Sequence, residues 1–330
     1  MRHVTADNSI IYSILRKKYG RGFQYIDTIE GLKIREKQLI SRIKKMAIPP
    51  MWQAVKISKD PDVHLLAYGI DAKGRRQYIY NEEWTRQQQQ KKFKKLKTFG
   101  KALPATRQYC LSKMQEKKWT REKVLSLVIL ILDHCGMRIG NQQYTARNET
   151  YGLTTLRRKH LDILGDDDLQ LEYIGKHSKE RHVRINDEDL VQWIETCAEK
   201  PGYEIFRYKE KGRFHNIDSS DVNDFIHNLM GHNFSSKDFR TWVGTRYAVE
   251  LYPYAQEVKK EKPRSKLSTL LLKEVAKELG NTKKVTQDYY VHPKIMQAII
   301  DEKLPLVETD EESIYSFEHN AAEECILKII

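Results

Sequence analysis

The apolar residues of this chain change their spacing about a third of the way along, and that change limits the folds open to it. Residues 54–57, 64–70 and 77–80 form short strand-like runs. The turn Asp71-Ala-Lys-Gly74 sits where an antiparallel hairpin between the last two runs needs it. From about residue 105 the spacing becomes helical. Val222, Phe225, Ile226 and Leu229 share one helix face, with Ser220 expected as N-cap and Gly231 as the stop. Ser235 followed by Asp238 reads as a capping box for the next helix, and Leu267, Leu271, Val275 and Leu279 make a further stripe that ends at Gly280. The fold class is therefore α+β, with a small β-rich N-terminal domain and a larger, mainly α domain.

Three local features refine that outline. Ile10, Ile11, Ile14 and Leu15 stand at helical spacing and predict an opening helix, which Pro49-Pro50 later separates from the strands. Leu169, Leu171 and Tyr173 alternate, as do Val183 and Ile185, so a β-hairpin is expected near 168–185 with Lys176 near its tip. Residues 124–132 are a nine-residue apolar run that ends at Asp133. That is far short of the ~18 to 20 residues a membrane span needs, so a buried helix and no membrane association are expected. The domain bounds are set at 1–86, a basic linker or hinge at 87–104, and 105–330. The linker holds Gln87 to Gln90 and Lys91-Lys-Phe-Lys-Lys-Leu-Lys97, whose Phe93 and Leu96 also fit a cationic amphipathic helix.

Charge is unevenly spread. Residues 1–100 carry 22 Lys+Arg against 9 Asp+Glu, which accounts for the whole net charge of +13 and leaves the remaining residues balanced. The last 30 residues hold 9 acidic and 2 basic side chains, an acidic tail read as a solvated terminus or a partner-binding segment. A basic body attracts polyanions, nucleic acid above all, although a ribosomal partner or a membrane surface would satisfy charge alone. The four cysteines are scattered without Cys-x-x-Cys or zinc-type spacing, so a reduced, intracellular chain with no metal site is expected. Gly69 to Gly74 has the glycine spacing of a P-loop but lacks the Lys-Ser/Thr pair and lies in a hairpin, so no nucleotide site is expected there.

Five stretches then occur in a telling order. They are Asp71-Ala-Lys-Gly-Arg-Arg-Gln-Tyr-Ile-Tyr80, Gly136-Met-Arg-Ile-Gly140, Asn148-Glu-Thr-Tyr-Gly-Leu-Thr-Thr-Leu156, Lys237-Asp-Phe-Arg-Thr241, and Gly280-Asn-Thr followed by Tyr290-Val-His-Pro293. Each is weak alone. As an ordered set over residues 50–295 the chain resembles the type IB DNA topoisomerases, in the short form of poxviruses, other large DNA viruses and bacteria. The resemblance implies a catalytic domain of the tyrosine recombinase and topoisomerase IB type and two lobes closing as a clamp around duplex DNA. It also implies a monomer needing neither ATP nor an obligatory metal, in a bacterial nucleoid, a virion or an infected cell.

The same resemblance puts Arg138, Lys176, Arg240 and Tyr290 on the family's catalytic positions. The chemistry suits those residue types. Two guanidiniums fork onto phosphate oxygens and offset the charge that grows in a pentacoordinate transition state. A lysine on a hairpin tip reaches the leaving 5′ oxygen as a general acid. Tyr290 is the nucleophile, and its bond to the 3′ phosphate stores the energy for religation. Without the resemblance each residue has a plainer reading: a surface ion pair for either arginine, a solvated turn for Lys176, and packing for the adjacent Tyr289 and Tyr290. Many relatives carry His where this chain has Asn281, which retains hydrogen-bond donation to phosphate but not an imidazolium's charge.

Residues matching Gln77, Tyr78 and Tyr80 contact DNA in the family, with Arg76 beside them. On a strand Gln77 and Ile79 face one way and Tyr78 and Tyr80 the other, so cross-strand packing is the competing reading. Lys237, one turn before Arg240, is expected to add a phosphate contact from the same helix face. Two rivals stay open at this point. A tyrosine recombinase shares the Arg, Lys and Tyr logic, although its second-arginine motif usually begins with His rather than Lys237. A DNA-binding protein without catalysis would carry the same charge.

Overall fold

The computed structural model describes residues 11–231, 233–307 and 318–330. The chain divides into two compact units, Met1–Lys92 and Phe93–Ile330.

The first unit is an antiparallel five-stranded sheet in the order β2-β1-β3-β4-β5, from β1 (Ile14–Tyr19), β2 (Gly22–Asp27), β3 (Gln53–Ile57), β4 (Leu65–Ile70) and β5 (Arg76–Tyr80). Helix α1 (Lys37–Lys45) contributes Ile43, Leu39 and Ile40 to a small core with Ile14, Tyr25, Val55, Ile57 and Ala67. The opening helix is corrected from Ile14 onward, where the chain is strand; Ile10 lies outside the described residues. The inward position after Ile14 belongs to Arg16, whose polarity hid the period of two. Its guanidinium is 8% exposed and donates to the carbonyls of Ile48, Pro49 and Trp52 at 3.0, 3.0 and 2.8 Å, tying β1 to the Pro49-Pro50 break. The expected hairpin at 71–74 is present. Asp71 accepts from the backbone of Lys73 and Arg75, and Gly74 takes a φ of 73° that L side chains avoid.

Helix α2 (Glu82–Lys94) carries the chain across the division between units, and α3 (Leu96–Met114) follows at once. Residues 87–104 are thus helical rather than a linker, and Phe93, Leu96, Phe99 and Leu103 are core residues of the second unit. The cationic amphipathic helix suggested by Phe93 and Leu96 is thus present, with its lysines standing between the buried apolar positions.

At the centre of the second unit lies α4 (Arg121–Cys135), the apolar run expected to be a buried helix. It contacts α3, α6 (Glu188–Ala198), α7 (Ser219–Met230) and α8 (Ser236–Glu250), and residues 124–133 are all buried. That all-round burial is why it shows no polar face. The remaining helices are α5 (Gln142–Asn148), α9 (Tyr252–Glu261), α10 (Leu267–Leu279), α11 (Lys283–Tyr289), α12 (Pro293–Ile300) and α13 (Ala321–Ile329). The N-cap of α7 is Asp218, not Ser220: its carboxylate accepts from the backbone of Ser220 and Asp221. Ser235 does open α8, giving its N–H and hydroxyl to Asp238.

The predicted hairpin is β7 (Asp168–Gly175) with β8 (Lys179–Asn186), to which β6 (Leu161–Gly165) adds an unforeseen third strand. A second hairpin, β9 (Arg207–Glu210) with β10 (Arg213–Asn216), was also unforeseen, since charge masks its alternation.

The acidic C-terminal stretch is not a solvated tail where it is described. Helix α13 packs on α3, α8 and α12, and Glu323 is 1% exposed. Glu323 takes both Nη atoms of Arg107 at 2.8 and 2.6 Å and the indole N–H of Trp242 at 2.8 Å, while Arg107 also reaches Asp133 at 2.6 Å. Residues 308–317, with four of the acidic side chains, lie outside the described residues.

Candidate active site

Helix α4 ends at Gly136, in the left-handed region at φ 58°. The next residues run extended against a 3-10 turn at Leu153–Thr155: Leu153 N–H donates to Arg138 O at 2.9 Å and Thr154 N–H to Ile139 O at 2.8 Å. That contact needs glycines on both sides. A Cβ on Gly152 would lie 2.5 Å from the nitrogen of Gly140 and 2.7 Å from the carbonyl oxygen of Arg138. Gly140 of the first arginine motif therefore serves close packing of backbone on backbone with Gly152, which fixes where the Arg138 side chain leaves the chain.

Arg240 comes from the middle of α8 and is 4% exposed. It donates to Gly136 O at 2.5 Å and to the carbonyl of Leu279, so one guanidinium joins the ends of α4 and α10. Lys237, one turn earlier, is exposed in the first turn of α8, and so the step along the helix runs from rim to interior. The two differ in burial, although three residues along one helix keeps them on neighbouring positions of its surface.

Tyr290 caps α11 and is pinned through its backbone. Its N–H donates to Thr286 O at 2.9 Å, and its carbonyl lies 3.1 Å from the hydroxyl of Thr245 on α8. Gly244 makes room for it, since a Cβ there would be 2.9 Å from Tyr290 O. The ring is half-buried, with Cζ of Arg240 5.1 Å from its centroid, whereas Tyr289 is 39% exposed. Val291 beyond it is buried, and His292 caps α12 by accepting from Lys294 N–H at 3.2 Å.

Asn281 lies between Gly280 and the Thr282 cap of α11. Its Oδ1 accepts from Nη2 of Arg138, and its Nδ2 is buried with no partner among the described residues. Arg138, Arg240, Asn281 and Tyr290 are thus brought together from four separate stretches of chain.

The charge of this cluster is unusual. Burial lowers the pKa of Arg138, with Tyr290 opposing and Arg181 adding to the effect. Burial also lowers Arg240, to about 10, helped by the like charge of Arg138. No ion pair to Arg138, Arg181 or Arg240 is present among the described residues. Two other buried arginines of the unit behave oppositely. Burial disfavours the charge on Arg107 and Arg246 too, but Asp133 and Glu323 raise the first, and Glu250 and Glu323 the second. Guanidiniums buried without carboxylates make a site for an anion from outside.

Lys176 is exposed at the tip of the β7–β8 hairpin, where His177 and Ser178 take positive φ values of 65° and 56°. Arg181 was missed by the sequence reading. It lies on the inward face of β8, and the two-residue alternation back from Ile185 through Val183 would have found it. Among the described residues no group of three or more His, Cys, Asp or Glu is placed to hold a metal ion.

In the first unit, Arg76, Tyr78 and Tyr80 share the exposed face of β5, while Gln77 and Ile79 are half-buried on the other, as the alternation predicts. Tyr80 stacks on Trp84 at 4.9 Å between centroids, with Tyr78 6.1 Å away. Nε2 of Gln77 donates to Asp71 at 2.8 Å. Hydrogen bonding from Arg75 is the largest cause that lowers the Asp71 carboxyl to about 2.

Two family models match the chain. That of the eukaryotic DNA topoisomerase I catalytic core covers residues 81–314, and that of the bacterial DNA topoisomerase IB N-terminal domain covers residues 22–71. The chain belongs to the type IB DNA topoisomerases. DNA topoisomerase 1B of Acanthamoeba polyphaga mimivirus is 28% identical over 297 residues, which is 86% of this chain and 87% of that one. DNA topoisomerase 1B of vaccinia virus (strain Copenhagen) is 24% identical over 253 residues, 72% of this chain and 73% of the viral one. Among solved structures, a XerH site-specific recombinase bound to its difH substrate is matched over 59% of this chain and 50% of that one, at 14% identity and a TM-score of only 0.34. Type IB topoisomerases are DNA-binding isomerases that nick and reseal one strand.

Proposed function

We propose that Arg138, Arg240 and Asn281 bind one phosphodiester of duplex DNA and that Tyr290 attacks it, leaving a 3′-phosphotyrosyl bond and a free 5′ hydroxyl. The guanidiniums offset the charge that grows on the non-bridging oxygens, and the Asn281 amide donates a neutral hydrogen bond to them. Lys176 protonates the departing 5′ oxygen. The free end then turns about the intact strand, and reversal of the attack reseals the nick. The bond energy is kept in the phosphotyrosine, so supercoils of either sign relax without ATP and without an obligatory metal. Arg76, Gln77, Tyr78, Tyr80 and Lys237 contact the duplex, with the two units closing around it as a clamp, and one chain suffices.

The observation that carries this reading is the half-buried Arg138 beside the buried Arg240, with no carboxylate paired to either among the described residues, while Arg107 and Arg246 in the same unit are paired with carboxylates. The test is relaxation of a negatively supercoiled plasmid in EDTA, without nucleotide and without a recombination site. The wild type relaxes it and Tyr290→Phe does not. Relaxation by Tyr290→Phe at the wild-type rate would overturn the assignment.

A further inference from the structure

The hairpin that carries Lys176 raises a mechanical question. Its tip is exposed, with two consecutive residues at positive φ, yet a proton donor must be held within hydrogen-bond reach of one oxygen. The residue just before the tip is fixed by Arg181. Gly175 is buried, and a Cβ on it would lie 2.9 Å from Cγ of Arg181, so the arginine stem lies directly against the backbone that presents Lys176. Arg181 stands across the ladder from Tyr173, two residue pairs in from the Gly175–Lys179 pair that closes the hairpin.

The head of the same side chain grips the other half of the site. Arg181 is 8% exposed; its Nη2 donates to Glu278 O at 2.8 Å and its Nη1 to Lys277 O at 3.2 Å. These carbonyls belong to the last turn of α10, where the helix dipole favours a cation, and Lys277 O also accepts from the Gly280 N–H at 3.0 Å. Gly280 follows at φ 60°, and the guanidinium occupies the space its side chain would need. One residue further is Asn281, which holds Arg138.

We propose that Arg181 is a positioning residue for strand cleavage: it braces the β7–β8 hairpin against the end of α10, so that Lys176 meets the leaving 5′ oxygen while Arg138 and Asn281 hold the phosphate. This rests on the reading of Lys176 as general acid. In the step concerned, the phenolic oxygen of Tyr290 forms a bond to phosphorus as the bond from phosphorus to the 5′ oxygen breaks. The phenolic proton leaves to water, and the Lys176 ammonium delivers its proton to the 5′ oxygen.

The experiment is single-turnover cleavage of a duplex whose scissile 5′ oxygen is either native or replaced by sulfur, since a thiolate departs without needing a proton. Wild type, Arg181→Ala, Arg181→Lys and Lys176→Ala are compared on both substrates. Arg181→Ala is expected to slow cleavage of the oxygen substrate by about 100-fold. Its deficit on the sulfur substrate shrinks to within about threefold of wild type, in parallel with Lys176→Ala. Arg181→Lys, which keeps one donor for the carbonyls and much of the stem, falls between and serves if the alanine variant does not fold. Equal slowing of the Arg181 variants on both substrates, with Lys176→Ala rescued by sulfur, would overturn the brace and leave the general acid standing. Failure of sulfur to rescue Lys176→Ala would overturn the general acid, and the brace with it.

Discussion

Nη2 of Arg138 donates to Oδ1 of Asn281, and that bond joins the chain leaving α4 to the loop between α10 and α11 across 143 residues of sequence. It orients the amide so that Nδ2 is turned away from Arg138, buried and without a partner among the described residues. Where many relatives carry His, this chain therefore keeps a neutral donor beside a cation.

The neutrality of that donor is testable. Asn281→Ala removes one transition-state hydrogen bond, and cleavage should slow by about 100-fold, the usual cost of one oxyanion donor. Asn281→Asp is nearly the same shape but sets a carboxylate against Arg138, giving the arginine the internal partner it now lacks. Rates of covalent adduct formation should rank wild type, then Ala, then Asp. An aspartate variant as fast as wild type would show that the site does not need to stay free of negative charge.

The two arginines should separate by stability. Arg240 satisfies the carbonyls of Gly136 and Leu279 from a buried position, so Arg240→Ala strands two acceptors as well as removing a catalytic charge. It should lower the unfolding free energy by about 2 kcal/mol or more. Arg138→Ala gives up only its bond to Asn281 and should unfold within about 1 kcal/mol of wild type while losing activity just as fully. Urea unfolding of both variants reads the difference; equal stability would mean that Arg240 does not hold the helix ends together.

The C-terminal helix makes a third case. Burial pushes the Glu323 carboxyl up, but hydrogen bonding and charge from Arg107, with Arg246 and Trp242, outweigh it and hold the group at about 2. Glu323→Ala leaves two buried guanidiniums short of a partner and should destabilise the second unit by about 3–5 kcal/mol. Glu323→Gln, which keeps the shape and the indole acceptor, should cost less. A melting temperature unchanged in the alanine variant would show that α13 adds nothing to the unit.

Acid should weaken the fold through histidines kept neutral by their surroundings. Burial, with Lys294, lowers His292 to about 4; burial, with Lys159, lowers His160 to about 4; and burial, with Arg246, lowers His134 to about 3. On acidification the unfolded chain takes up these protons near 6.5 while the folded one resists, so stability is full above 6.5 and is lost as pH falls toward 4. For His292 the loss between pH 7.5 and 5 is about 2 kcal/mol. His292→Asn keeps an acceptor for the α12 cap and should lose about that much less over the same interval. A wild-type stability that rises over this range would contradict the assignment.

Much of the molecule was legible before its structure. The β4–β5 hairpin followed from alternation plus Asp71 and Gly74, and α4 from an apolar run too short for a membrane. The proposal of Tyr290 over Tyr289 rests on the register of the ordered motifs. Three of the misses share one physical cause: a polar side chain standing inward. Arg16 concealed β1, Arg181 concealed the brace on α10, and Glu323 was read as one more acid in a tail, although Asn320 and Glu323 carry the spacing of a capping box. An inward charge is stabilised by partners far along the chain, and local periodicity holds no record of them.

The account stands most directly on one bond. Wild type, Tyr289→Phe and Tyr290→Phe are incubated with a labelled duplex, stopped with denaturant, and the adduct is digested and sequenced by mass spectrometry. The DNA should be found on Tyr290 in wild type and in Tyr289→Phe, and no adduct should form with Tyr290→Phe. An adduct on Tyr289, or one that survives in Tyr290→Phe, would contradict it.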